Sequence, residues 1–148
     1  MIAVDTNILV YAHREDSAFH AAAGARLAAL AEGVAPWAIP WPCIHEFIAI
    51  VTHPRIYSPS TPIAKAVDQV DAWLESPSLR LIGEDGGYWR VLRSVLLESK
   101  MTGGRVHDAR VAALCIRWSV PELWSADRDF SRVSGLRVVN PAARSARI

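Results

Sequence analysis

The chain has 148 residues, enough for one domain with a substantial core, and 51% of them are apolar against 21% charged. Those proportions exclude an intrinsically disordered tail and leave apolar surface that a partner can cover. A net charge of +1 excludes a whole-molecule field as the means of attracting nucleic acid.

In chain order, Ile2-Ala3-Val4 predicts a short strand ending at Asp5, and Thr6-Asn7 supplies helix-start chemistry before Ile8–Ala12. A second helix is expected over about 17–31, with Phe19, Ala23, Leu27 and Leu30 at helical spacing and Gly33 beyond its end. Trp37–Ile39 reads as a buried strand closed by Pro40. Pro42 then suits the first turn of a helix through Ile44, Phe47, Ile48 and Val51, which Pro54 stops. The run Ser58-Pro59-Ser60-Thr61-Pro62 is a loop, and Thr61-Pro62 is expected to cap a helix through Trp73-Leu74, ended by Pro77. Leu79–Ile82 is a strand, and Gly86-Gly87 breaks the chain before a helix at 88–100. After the loop Thr102-Gly103-Gly104 comes a helix at about 107–118. Leu123-Trp124-Ser125 and Leu136–Val139 are the last two strands. Strands alternating with helices imply an α/β fold with a short, mainly parallel sheet, here a three-layer α/β/α domain over residues 1–141 with a basic tail at 142–148.

Fourteen of the 16 cations are arginine, which suits planar contacts to phosphate but also follows from a GC-rich coding sequence. The two cysteines, Cys43 and Cys115, are far apart in apolar helical contexts and read as core residues in a reducing compartment. No apolar run approaches the roughly 18 residues of a membrane span, and no leader pattern is present. A cytoplasmic protein without membrane attachment is expected.

Asp5, Glu46, Asp108 and Asp127 each lie beside or inside an apolar segment. A buried, unpartnered carboxylate costs several kcal/mol or protonates, so four together call for a cation. In an open parallel sheet, reactive groups gather beyond the carboxyl ends of the strands. Asp5 and Asp127 end apolar strands, and Glu46 and Asp108 lie in the first turn or so of helices that start at the same edge, where the helix dipole favours an anion. Oxygen ligands without Cys or His ligand spacing favour Mg²⁺, or Mn²⁺ in its place, over Zn²⁺. Such a site suits phosphodiester hydrolysis. Asp129 can join the site or cap the short helix entered at Phe130. Arg14, Arg105, Arg110 and Arg128 adjoin the acidic motifs and are candidates for phosphate contact, with salt bridges as the rival role. Trp37 and Trp41, beside the Glu46 helix, are candidates to stack on unpaired bases.

Val4-Asp5-Thr6-Asn7, Pro42-Cys43-Ile44-His45-Glu46-Phe47, His107-Asp108-Ala109 and Ser125-Ala126-Asp127-Arg128-Asp129-Phe130 resemble, in that order, the motifs of PIN-domain proteins. The chain most resembles the ribonuclease toxins of VapBC toxin–antitoxin systems. The resemblance implies a Mg²⁺-dependent endoribonuclease, inhibited by a cognate antitoxin and usually a homodimer. It implies that Asp5 and Asp108 are the principal metal ligands, that Glu46 and Asp127 are the other two acids, and that Asp129 is a less regular fifth. Asn7 matches a residue that orients the first Asp, and Ser125 stands where the family commonly has Thr. Two other readings fit the residues: a carboxylate-metal nuclease or phosphatase of another kind, and a non-catalytic nucleic-acid-binding domain of the same fold.

Overall fold

The computed structural model describes residues 1–143. Its centre is the strand β1 (Ile2–Val4), whose apolar side chains pass straight into α1 (Thr6–His13). The cap of α1 is Asp5 rather than Thr6-Asn7: its carboxylate accepts from the Thr6 N–H at 2.8 Å, and Thr6 is the first helical residue. The next helix, α2 (His20–Glu32), begins three residues later than the pattern suggests, because 17–19 are spent in turns. Phe19 therefore stays 45% exposed and packs on Tyr11 instead of entering the core.

The strand β2 (Trp37–Pro40) is buried throughout and leads into α3 (Trp41–Val51), with Pro42 in its first turn as expected. A loop connects to α4 (Ile63–Leu74). Thr61 does not cap α4, because its hydroxyl is held by His13 Nε2 at 3.1 Å and Arg14 Nη1 at 3.3 Å. Then follow β3 (Leu79–Ile82), α5 (Tyr88–Ser99), a 3₁₀ turn at Gly103–Arg105, α6 (Val106–Arg117), β4 (Glu122–Trp124), a second 3₁₀ turn at Arg128–Arg132 and β5 (Arg137–Val139).

All four strand pairings are parallel, in the order β3-β2-β1-β4-β5, with Ala3 opposite Ala38 on one side and Leu123 on the other. The chain runs outward from β1 to β3, then returns to the opposite side of β1 for β4 and β5. Right-handed crossovers then put the helices of the two runs on opposite faces of the sheet. Packing agrees with this: α1 lies against α2 and α3, α3 against α4, and α5 against α6. The expected three-layer α/β/α architecture is therefore the one observed. Its core is built on the fully buried Leu9, Trp37, Ile39, Phe47, Leu114 and Leu123. The direction reverses between β1 and β4, which opens a crevice at their carboxyl ends. Ala142 still packs against the core, and residues 144–148 of the expected tail lie outside the described residues. Among the described residues no helix is long and apolar enough to cross a membrane.

Candidate active site

Asp5 leaves β1 at that crevice with 7% of its surface exposed. Its carboxylate accepts three hydrogen bonds. Oδ1 accepts from the Thr6 N–H at 2.8 Å and the Cys43 Sγ at 3.5 Å, and Oδ2 accepts from the Ser125 hydroxyl at 2.7 Å. Burial and the adjacent Asp5 hold the Cys43 thiol protonated, so it can only donate there. The Ser125 oxygen is itself saturated, accepting from Asn7 Nδ2 at 3.2 Å and from the Asp127 N–H at 3.0 Å. The Asn7 carbonyl oxygen accepts the Ala126 N–H at 3.0 Å, tying the end of β4 to the start of α1. One hydroxyl thus aligns Asp5 and Asp127 together. Burial still dominates: it raises the Asp5 pKa from 3.8 to about 6 despite these donors, and Glu46 adds to the rise.

Glu46 is the sixth residue of α3, so it lies in the second turn of its helix rather than the first. It accepts a hydrogen bond from the Thr6 hydroxyl at 3.0 Å and is otherwise exposed. Asp108 sits in the first turn of α6, half-buried. Partial burial raises its pKa, and the negative charges of Asp127 and Glu46 raise it further, against Arg105 and His107. Asp127 caps the second 3₁₀ turn by accepting from the Asp129 N–H at 2.8 Å. That leaves the Asp129 carboxylate free of capping duty. Asp108, Asp127 and Asp129 each offer an oxygen within 4.8 Å of the others. Of the four carboxylates expected to be buried only Asp5 is: Asp108 and Asp127 are half-buried and Glu46 is exposed. A hard cation fits the Asp108, Asp127 and Asp129 donor set, because the three offer carboxylate oxygens alone and the like charges of Asp127 and Glu46 raise the Asp108 pKa.

The four arginines divide. Arg105 forms an ion pair with Asp129, at the rim of the acidic trio. Arg110 pairs with Glu84 at 2.6 Å and lines a cavity of about 470 Å³ together with Glu46 and Asp108. Arg128 lines another cavity, of about 390 Å³, on the Asp127 side. Arg14 is not at the site. It lies beyond the carboxyl end of α1, bonded to both Asp16 oxygens, to Pro59 O and to Thr61, with its guanidinium 4.2 Å from the Tyr57 ring centre. Proximity in sequence to Asp5 misleads there, since α1 carries Arg14 away along its axis. Trp37 is fully buried, with its indole N–H on the Ser76 hydroxyl at 3.1 Å, and cannot meet a base. Trp41 remains 43% exposed.

Two contributors escaped the sequence reading. The Thr6 hydroxyl and the Cys43 thiol both touch the acids, yet one reads as helix-start chemistry and the other as core. Their only signal is adjacency to the Asp5 and Glu46 motifs.

Removing the shared hydroxyl tests this wiring. Ser125→Ala leaves donors on Asn7 and Asp127 and an acceptor on Asp5 without a partner, and is expected to cost about 1–3 kcal/mol. Ser125→Thr keeps the hydroxyl and costs less. Thermal melts of both variants would show equal losses if the hydroxyl had no such role.

The PIN domain family model matches residues 2–136. Ribonuclease VapC48 of Mycobacterium tuberculosis is 31% identical over 137 residues, covering 93% of this chain and 94% of that protein. Ribonuclease VapC43 of the same organism is 33% identical over 141 residues, covering 95% of each. Among solved structures, the chain is similar to VapBC2 from Rickettsia felis bound to a DNA fragment from their promoter, with a TM-score of 0.66, 23% identity and coverage of 94% and 98%. It is also similar to Mycobacterium tuberculosis VapC20, a Sarcin-Ricin loop cleaving toxin, with a TM-score of 0.67, 18% identity and coverage of 93% and 99%.

Proposed function

The chain belongs to the PIN-domain family and, within it, to the VapC ribonucleases, and we propose that it is a Mg²⁺-dependent endoribonuclease, the toxin of a toxin–antitoxin pair. The observation that supports this most directly is the cleft of carboxylates at the sheet's reversal point. Asp108, Asp127 and Asp129 bring their oxygens within 4.8 Å of one another, and the buried Asp5 is linked to the Asp127 backbone through the Ser125 hydroxyl. RNA is favoured as substrate by the names of the relatives at 31% and 33% identity.

Asp5, Glu46, Asp108 and Asp127 are the residues that would hold or position one or two Mg²⁺ or Mn²⁺ ions, with Asp129 available when Arg105 releases it. A bound ion of this kind supplies Lewis acidity, activating water and offsetting phosphate charge. The chain's own residues do the positioning. Ser125 fixes the rotamer of Asp5 and the backbone of Asp127, Asn7 locks the two strand ends together, and Thr6 holds Glu46 toward the cleft. Arg128, in the cavity on the Asp127 side, is the arginine best situated to meet phosphates of a bound strand; Arg105 and Arg110 serve Asp129 and Glu84 first.

In this reading residues 1–141 form a single catalytic domain in the cytoplasm, the protein is a homodimer, and a cognate antitoxin silences it. An acidic cleft that takes a cation also takes an arginine side chain, which gives an antitoxin a direct way to occupy it.

The test compares single-stranded RNA, single-stranded DNA and a small phosphate ester as substrates in Mg²⁺, with and without excess chelator. RNA alone is expected to be cut, and chelation to abolish the cutting. Undiminished cleavage in chelator would remove the metal, and equal cleavage of DNA would favour a less selective nuclease.

A further inference from the structure

The cavity beside Glu46 and Asp108 has walls that the acidic chemistry does not use. Its volume of about 470 Å³ lies in the range that receives a small organic group. His45, the residue before Glu46, lines it and is exposed. One turn earlier on the same helix, the Trp41 indole meets the His45 imidazole with ring centres 6.2 Å apart and planes tilted by 32°. Trp41 is fixed from the other side: a Cβ placed on Gly83 would come within 3.0 Å of its Cδ1. The Gly83 carbonyl is itself tied down, accepting from the Trp118 indole N–H at 2.8 Å.

Exposure alone does not single out Trp41, since Trp89 is 63% exposed and Trp118 40%. Its distinction is that it braces a ring bordering the acidic cleft. The cleft repels phosphates until a cation is bound. The arginine that lines the cavity, Arg110, is already paired with Glu84. Attraction there has to come from a group without negative charge. Aromatic faces attract every nucleobase irrespective of sequence, provided the base is unpaired and free to stack.

We infer that His45, braced by Trp41, is the platform on which an unpaired nucleobase flanking the cut bond stacks, with the adjoining cavity receiving that base. His45 touches substrate, and Trp41 acts through it as a positioning residue. The inference rests on RNA being the substrate.

The test is steady-state cleavage of a single-stranded RNA oligonucleotide in Mg²⁺ by wild type, His45→Ala, His45→Phe and Trp41→Ala. His45→Ala is expected to raise KM roughly 5- to 150-fold, the usual worth of one base–aromatic stack, with kcat little changed, as for loss of uniform binding. His45→Phe keeps the ring and restores most of the KM; Trp41→Ala gives a smaller rise. Calorimetric Mn²⁺ affinity stays at the wild-type value in all three. A second arm spares the protein: substrate with abasic nucleotides at the mapped cut raises KM for wild type and raises it no further for His45→Ala. An unchanged KM in His45→Ala, or His45→Phe as impaired as His45→Ala, overturns the platform while leaving the ribonuclease reading in place. If wild type cuts no RNA, both fall together.

Discussion

Asp5→Ala and Asp108→Ala are each expected to reduce RNA cleavage by roughly 10³-fold or more, the loss that follows when several kcal/mol of metal-borne charge stabilisation disappears. Both proteins remain folded. The two variants reach this result differently, which makes the pair more informative than either alone. Asp108 is half-buried in the first turn of α6, so its removal forfeits a favourable helix-dipole contact of under about 1 kcal/mol. It also relieves the repulsion among Asp127, Glu46 and Asp108. Asp5 caps α1, and losing that cap costs about 1 kcal/mol. Its removal also relieves a buried charge. Neither change creates a large cavity, and in Asp5→Ala the relieved buried charge offsets the donors left on Thr6 and Ser125, so both proteins are expected to stay folded at the assay temperature while single-turnover cleavage collapses. Wild-type cleavage by either variant would end the carboxylate-metal mechanism. Loss of cleavage accompanied by loss of folding in both would show the acids to be structural instead.

How much of this was legible beforehand follows from the scale on which each feature is determined. The strands could be read because Ile2–Val4, Trp37–Pro40 and Leu79–Ile82 are short apolar runs bounded by turn formers, and the observed bounds differ by a residue at most. The strand-end rule brought Asp5 and Asp127 to one edge because it depends only on strand direction. Burial was harder to read. Apolar neighbours surround both Asp5 and Glu46 in sequence, but a helix turns residues 100° apart, and Glu46 faces out while Phe47 faces in. The capping assignments failed for a related reason. Thr6-Asn7 and Thr61 both carry capping side chains, yet each hydroxyl found a partner distant in sequence, Glu46 for Thr6 and His13 with Arg14 for Thr61. Local propensity cannot see a partner 40 residues away. Arg14 shows the same limit from the other side, being nine residues from Asp5 yet committed to Asp16 and Tyr57.

Without bound metal, the stability of the wild-type protein falls as pH rises from about 4 to 7, and Asp5→Ala loses most of that dependence. The direction follows from the raised pKa of Asp5, about 6 against the usual 3.8. The folded state holds this proton more tightly than the unfolded chain. The stabilisation is complete below the unfolded pKa and is lost as pH climbs through the folded one. The shift corresponds to about 3 kcal/mol in all, of which about 2 falls between pH 4.5 and 7.5. Asp108 pushes the same way, while Asp16 and Asp85, lowered by hydrogen bonds from Arg14 and Arg117, push the other. These contributions are common to both proteins, so the wild-type minus Asp5→Ala difference isolates Asp5. Asparagine is the poorer control, because its amide would present a donor to a Ser125 hydroxyl whose one proton and two lone pairs are already committed. Urea melts of the two proteins in chelator at pH 4.5 and 7.5 measure the effect. Parallel behaviour across that window would mean that Asp5 is not desolvated as its burial implies. At pH 7.5 the wild type therefore keeps an ionised Asp5 at a cost in stability that a cation in the cleft can offset. Added Mn²⁺ at about 100 times its Kd should then restore about 2.7 kcal/mol. Asp5→Ala, lacking both the strained carboxylate and a principal ligand, should gain far less.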